Sequence, residues 1–127
     1  MTDPSATPKP DYDHILRSNL ERVFNERDAS KRLAAIDELF VAEPLMYEPD
    51  GVVTGRAAIA EVAGKLLAQF SPTFAFVPVA AAVGHHGLGC LRWQAGPQGG
   101  PVTVTGTDAA QLVDGKIARL WVLLDAR

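Results

Sequence analysis

The sequence has little of several features that mark particular classes of protein. Cys90 is the single cysteine among 127 residues, which excludes an internal disulfide and a thiolate cluster for zinc and favours a reducing compartment. Twelve lysines and arginines stand against fifteen acids, so the basic excess of a nucleic-acid-binding or membrane-surface protein is lacking. No run approaches the roughly eighteen apolar residues of a membrane span. We expect a soluble, cytoplasmic protein with neither nucleic acid nor membrane as partner.

The length predicts one domain preceded by a tail. A chain of 127 residues has the usual size of a single domain. The opening "MTDPSATPKPDYD" contains three prolines, no apolar run and more acid than base, which is unlike a signal or transit peptide. We therefore interpret residues 1–12 as a flexible tail and residues 13–127 as one folded domain.

Three amphipathic helices are predicted in the first half of the domain. Apolar residues recur at helical spacing between residues 14 and 26, again from the plausible N-cap Ser30 up to Pro44, and most regularly between residues 59 and 70. Between the last two helices, "LMYE" is long enough only for a stub of strand, and "PDGVVTG" is predicted to be a turn.

The part of the chain beyond Pro72 predicts strands. β-Branched and aromatic residues are separated by the glycine-rich turns "GHHG", "GPQGG" and "VDGK", which divide this part into four segments. Three helices followed by a meander of strands indicate an α+β fold in which the helices pack against a curved antiparallel sheet.

Asp108 is the first candidate for a functional acid. On the predicted strand 102–113 it is the only acid on a face that otherwise carries apolar residues. Desolvation there should raise its pKa and make it a hydrogen-bond donor near neutral pH. The alternative is a structural carboxylate that accepts backbone N–H groups or pairs with Arg92 or Arg119.

Glu48 is the second candidate. It shares a strand face with Met46 and is held between Tyr47 and Pro49, at the end of a short apolar run. If it faces a cavity, it can act as a general base or bind a ligand. The alternative is a solvated acid on a turn, beside Asp50.

The remaining candidates concern the cavity wall, an interface and a metal. Trp93 and Tyr47 are aromatic candidates for the wall, as is Trp121. One face of the final strand carries three further candidates: Leu120, Val122 and Leu124. If that face lines the cavity, Trp121 lies on the outer sheet face, through which we expect a homodimer.

The adjacent His85 and His86 should point to opposite sides, so we interpret "GHHG" as a turn and predict no metal.

The order of the elements, the junction "YEPDGVVTGRAAI" and the closing "GTDAAQLVDGKIARLWVLLD" resemble a known superfamily. Its members share a cone-shaped fold and include nuclear transport factor 2, ketosteroid isomerase, scytalone dehydratase, limonene epoxide hydrolase and SnoaL-type polyketide cyclases. The resemblance extends from His14 almost to the end of the chain. It implies three helices wrapped by a bent sheet and a conical pocket for a small hydrophobic ligand.

The comparison with ketosteroid isomerase implies roles for three residues. Glu48, an acid before a proline at the end of the short strand, corresponds to the general base. Asp108 corresponds to the protonated acid that donates a hydrogen bond to the developing oxyanion. Phe24 stands where that enzyme has a tyrosine donor. The resemblance thus implies proton transfer on an apolar carbonyl compound without a cofactor; the alternative is a non-enzymatic domain that binds a small hydrophobic ligand or a protein partner.

Overall fold

The predicted tail falls only partly within the computed structural model, which describes residues 9–126. Residues 1–8 lie outside the described residues. Of the remainder, Asp11 is already the N-cap of the first helix, where its carboxylate accepts a hydrogen bond from the His14 N–H at 3.0 Å. The first helix thus begins at Tyr12, the last residue of the predicted tail.

Three helices are present, as predicted. Helix α1 spans Tyr12–Asn19 and continues into a π-helical segment, Leu20–Phe24. Helix α2 spans Ala29–Leu39, and helix α3 spans Arg56–Ala68. Among residues 9–126, no helix is long and apolar enough to cross a membrane.

The start of α2 differs from the prediction. Asp28, not Ser30, is the N-cap, because its carboxylate accepts the Lys31 N–H at 3.0 Å while the Ser30 hydroxyl donates to the same carboxylate at 3.2 Å. An aspartate and a serine two residues apart are both good capping residues, so the sequence pattern alone allowed either position.

Within residues 9–126 the sheet has seven strands, rather than the four strands and a stub that were predicted. They are β1 Phe40–Glu48, β2 Gly51–Thr54, β3 Phe74–Pro78, β4 Val83–His85, β5 Leu88–Pro97, β6 Val104–Val113 and β7 Lys116–Leu124. Their order is β2-β1-β7-β6-β5-β3, and β4 also pairs with β5. The α+β prediction is confirmed, but the sheet is mixed because β1 runs parallel to β7.

The predictions for the segment around Pro44 were wrong. Helix α2 ends at Leu39, and the supposed stub is a strand of nine residues that begins at Phe40. Proline has no N–H for a sheet ladder, and the register between β1 and β7 shifts between Phe40 and Leu45. The Arg56 guanidinium donates hydrogen bonds to the carbonyl groups of Phe40 and Val41 at 2.8 Å each, which satisfies backbone groups at this irregularity.

Two further segments were assigned incorrectly. The predicted turn "PDGVVTG" contains β2, which forms a hairpin with β1 in which Glu48 pairs with Gly51. The first predicted strand is broken after Pro78 into β3 and β4, and both pair with β5. The "VDGK" turn is confirmed, because Asp114 and Gly115 both have positive φ angles, at 52° and 77°.

The core lies between the helices and one face of the sheet. Burial alternates along β5 and β6, so that Leu91, Trp93 and Ala95 face the helices together with Asp108 and Ala110. The helices cover this face, and the space that remains between them and the sheet forms the cavity described next.

Candidate functional site

A cavity of about 450 Å³ lies between α3, the π-helical segment and the inner face of the sheet. Its volume falls within the range of small-molecule sites. Its walls are mostly apolar, and the lining residues are Leu20, Phe24, Glu48, Pro49, Val62, Lys65, Leu66, Gln69, Phe70, Phe74, Phe76, Trp93, Val104, Asp108, Val122 and Leu124.

Aromatic rings form much of the cavity wall. Phe70 and Phe74 stack with ring centroids 3.9 Å apart, and Phe76 meets both Phe74 and Trp93 edge to face at 5.6 and 5.1 Å. Phe24 meets Phe76 edge to face at 6.4 Å. Because these rings fix one another, they provide a rigid surface suited to a flat apolar molecule.

Asp108 lies at the buried end of the cavity. It pairs in register with Leu91 and Val122 and is 3% exposed. The Trp93 indole Nε1–H donates a hydrogen bond to Asp108 Oδ1 at 3.0 Å. Burial raises the pKa of Asp108 to about 7, and the hydrogen bond from Trp93 opposes that rise.

The pairing with an arginine that was considered for Asp108 does not occur. Arg92 extends to the opposite side of the sheet, where it binds Asp125 at 2.7 Å. Arg119 is exposed and pairs in register with Gln111. Among the described residues no cation neutralises Asp108, and desolvation therefore dominates its pKa.

Trp93 reaches Asp108 because the strand beside it provides space. Its register partner on β6 is Gly106, where an added Cβ would lie 2.6 Å from the indole Cζ2. Any other residue at Gly106 would displace the indole and with it the hydrogen bond to Asp108. The strand β5 thus presents Trp93 to the cavity.

Glu48 contributes to the same cavity from the end of β1. Its side chain is half-buried, and within residues 9–126 its carboxylate has no hydrogen-bond or ion-pair partner. Tyr47 and Pro49 on either side limit its freedom. The structure therefore brings the two predicted acids, Glu48 and Asp108, to one apolar cavity.

The predicted wall residues divide into two groups. Four line the cavity: Phe24, Trp93, Val122 and Leu124. Tyr47 lies instead on the outer sheet face, where it stacks on Trp121 with centroids 4.9 Å apart. Leu120 faces inward but is completely buried in the core, so it does not line the cavity.

Sequence reasoning missed two polar residues at the C-terminal end of α3, Lys65 and the C-cap Gln69. Lys65 and Gln69 line the cavity, one helical turn apart. Together with Val62, Leu66 and Phe70 they form a stripe at spacings of three and four residues. That spacing could have identified them, because both positions lie beside the edge of the predicted apolar face.

The histidine pair lies at the β4–β5 hairpin, as predicted. The two rings do not diverge, however: His86 has a φ of 53°, and the Nδ1 atoms of His85 and His86 lie 2.8 Å apart. Across residues 9–126, no group of three or more His, Cys, Asp or Glu side chains is arranged to hold a metal ion.

The comparison with protein families identifies the domain. The family model of the SnoaL-like domain matches residues 19–120, which is more than half of the chain. The chain belongs to the SnoaL-like family. Its match includes every element that contributes to the cavity except the last residues of β7. A comparison with curated proteins finds no match.

Solved structures share the fold of this SnoaL-like domain. A candidate isomerase of the SnoaL-like family from Agrobacterium tumefaciens has a TM-score of 0.83 and 22% identity, covering 91% of this chain and 98% of that chain. A candidate ketosteroid isomerase from Kribbella flavida has a TM-score of 0.69 and 13% identity, covering 92% and 79%. A candidate polyketide cyclase from Sinorhizobium meliloti has a TM-score of 0.66 and 17% identity, covering 86% and 93%. At these identities the likeness establishes the fold alone.

Proposed function

We propose that this SnoaL-like domain is an enzyme that transfers a proton on an apolar carbonyl compound, such as a polyketide or a terpenoid, without a cofactor. The observation that carries this proposal is that Glu48 and a desolvated Asp108 line one apolar cavity. A buried acid with a raised pKa that shares a pocket with a second carboxyl group is a frequent arrangement for acid and base catalysis. The names of the structural neighbours, isomerase and cyclase, are consistent with this chemistry.

In the proposed reaction the two acids have different roles. The Glu48 carboxylate removes a proton from the carbon next to the carbonyl group, and the electrons of the broken C–H bond form an enolate. Protonated Asp108 donates a hydrogen bond to the developing oxygen anion. Glu48 then returns the proton to a different carbon of the enolate, so that the product is an isomer of the substrate and the enzyme is unchanged.

Trp93 and the aromatic wall act as supporting parts. Because Trp93 donates to Asp108 Oδ1, it leaves Oδ2 to carry the proton and to donate it to the ligand. The apolar rings exclude water, which strengthens both the hydrogen bond and the effect of the charge on Glu48. Phe24 provides an apolar contact, so Asp108 is the principal donor in the proposed oxyanion site.

A second candidate function is the binding of a small hydrophobic ligand without catalysis. Phe24 favours it, because a phenylalanine in the wall adds apolar contact area and no hydrogen-bond donor. The same cavity and orientation of Asp108 would then serve recognition of a carbonyl or hydroxyl group.

The decisive experiment measures deuterium exchange. Cyclic and aryl ketones are incubated in deuterated buffer near neutral pH with wild type, Glu48→Gln and the matched control Asp50→Asn, an exposed acid two residues away. Loss of the base should slow α-proton exchange by about a hundredfold to ten-thousandfold. Asp50→Asn should exchange like wild type.

Ligand-induced thermal stabilisation, measured on the same variants, separates the two candidates. Glu48→Gln should retain stabilisation by those ketones that the wild type exchanges. Stabilisation without exchange in the wild type would overturn the enzymatic proposal in favour of ligand binding. Equal exchange by wild type and Glu48→Gln would remove Glu48 as the base.

A further inference from the structure

The polar groups of the cavity lie at two different depths. Asp108 and Trp93 are almost completely buried at one end. Lys65, whose side chain is 73% exposed, and Gln69, also exposed, lie at the mouth. Glu48 is half-buried between these extremes. A ligand that uses both groups of contacts must therefore carry polar atoms at two ends of an apolar body.

Lys65 is the only cation among the described residues that line the cavity. Its ammonium pairs with Glu61 Oε1 at 2.8 Å, one helical turn earlier, and both side chains are mostly exposed. Exposed pairs of this kind contribute little to stability. An ammonium has three donors, so Lys65 can bind a second carboxylate beside Glu61 or exchange one for the other.

The buried Asp108 and the half-buried Glu48 determine which way a charged ligand would lie. A carboxylate placed near Glu48 and Asp108 would be desolvated and would face the negative charge of Glu48. At the mouth the same carboxylate stays hydrated, meets the Lys65 ammonium and can accept a hydrogen bond from the Gln69 amide. The aliphatic stem of Lys65 remains part of the apolar wall.

We propose that the ligand of this cavity is a keto acid or hydroxy acid with an apolar body, whose carboxylate binds Lys65 at the mouth while its carbonyl or hydroxyl group faces Asp108. This inference rests on the proposed function, because it assumes that the cavity binds a carbonyl compound with its oxygen at Asp108. It adds Lys65 as a residue that determines specificity.

The test uses a matched pair of fluorescent probes, 6-hydroxy-2-naphthoate and its methyl ester. Both have the same ring system and the same hydroxyl group, and only one has a carboxylate. Dissociation constants are measured at neutral pH and low salt. The wild type should prefer the carboxylate by about three- to fivefold, as expected for an exposed ion pair, and added salt should reduce that preference.

Two substitutions at the mouth should move the preference in opposite directions. Lys65→Gln should reduce the affinity ratio to about one, and Glu61→Gln should increase it because the competing carboxylate is removed. Lys116→Gln is the matched control, since Lys116 is an exposed lysine on the β6–β7 hairpin away from the cavity. It should leave the ratio unchanged.

The outcomes separate this inference from the proposed function. Equal affinity of the wild type for both probes, or a preference that survives Lys65→Gln, would overturn the assignment of Lys65 and leave the pocket function intact. Failure of both probes to bind would contradict the pocket function and this inference together. Binding of the two probes with the predicted affinity ratios would support the pocket function and the assignment of Lys65.

Discussion

At the scale of single residues, the ionisation of Asp108 controls what the cavity can bind. A neutral Asp108 donates a hydrogen bond, whereas an ionised one only accepts and repels an enolate. Its pKa of about 7 results from burial without a neighbouring cation. The group can therefore change from donor to acceptor in the neutral range.

The raised pKa of Asp108 makes a prediction for stability. The native state binds this proton more tightly than the unfolded chain, whose aspartates have the ordinary pKa of 3.8. Between these two pKa values the native state carries the extra proton, so the free energy of unfolding falls as the pH rises. The side chain introduced by Asp108→Asn cannot titrate. The free energy of unfolding of this variant, taken relative to that of wild type, should therefore increase by about 3 kcal/mol as the pH rises from 5 to 8.

Urea denaturation of both proteins at the two pH values measures this difference. The comparison isolates Asp108, because the other titrating groups are common to wild type and variant. A stability difference that stays constant between pH 5 and pH 8 would show that Asp108 ionises in the native state as it does in the unfolded chain.

Individual residues could be predicted from the sequence to different extents. The inward facing of Asp108 followed from alternation along one strand, and the candidate status of Glu48 depended on the position of an acid before Pro49. The contact between Trp93 and Asp108 could not be predicted, because it depends on the register across the "GPQGG" loop. Tyr47 was misplaced in the wall although alternation with Met46 and Glu48 puts it on the outer face, where it stacks on Trp121.

At the scale of elements, the end of the first helix is joined to an edge strand. Asn25 follows the π-helical segment, and its side-chain amide donates to the Phe76 carbonyl at 2.8 Å and accepts from the Phe76 N–H at 2.7 Å. The side chain thus satisfies backbone groups on the open side of β3. It also holds Phe24 and Phe76, two cavity-wall residues, beside each other.

Asn25→Ala should therefore destabilise the domain. The loss of both bonds leaves part-buried backbone groups of Phe76 unpaired, at a cost of about 1–3 kcal/mol. Urea denaturation measures the cost, and the amide of Phe76 should exchange faster with deuterium than in wild type. Gln111→Ala, at an exposed site on β6, is the control. A cost no larger than that of the control would contradict a structural role for Asn25.

Helices and strands were predicted well where apolar residues recur with one clear helical or strand period. They were predicted poorly where contacts between segments distant in sequence determine the secondary structure. The three helices and the strands β5, β6 and β7 followed from local patterns. Strand β1 did not, because Pro44 usually limits a sheet strand. There it is tolerated through a register shift and the hydrogen bonds from Arg56 to two carbonyl groups.

At the scale of the whole molecule, the outer sheet face is the expected interface. The stacked pair Tyr47 and Trp121 lies on this face, and the exposed Leu123 lies on the same face of β7, two residues after Trp121. We predict a homodimer through this face. Trp121→Glu should give a monomer, because a carboxylate would be desolvated between two copies.

Light scattering coupled to size exclusion measures the mass of each variant. Leu33→Glu, on the helical side of the domain, is the control and should remain dimeric. A wild-type mass equal to that of one chain would contradict the predicted dimer.

The central claim is that Asp108, inside the cavity that contains Glu48, keeps its proton until the pH approaches neutrality. Carbon-13 NMR of the aspartate carboxyl groups tests it most directly, with Asp108→Asn used to assign the resonance. The account predicts a resonance that is absent in the variant and titrates with a midpoint near 7. A midpoint for Asp108 in the ordinary range of aspartates, near 4, would contradict the account.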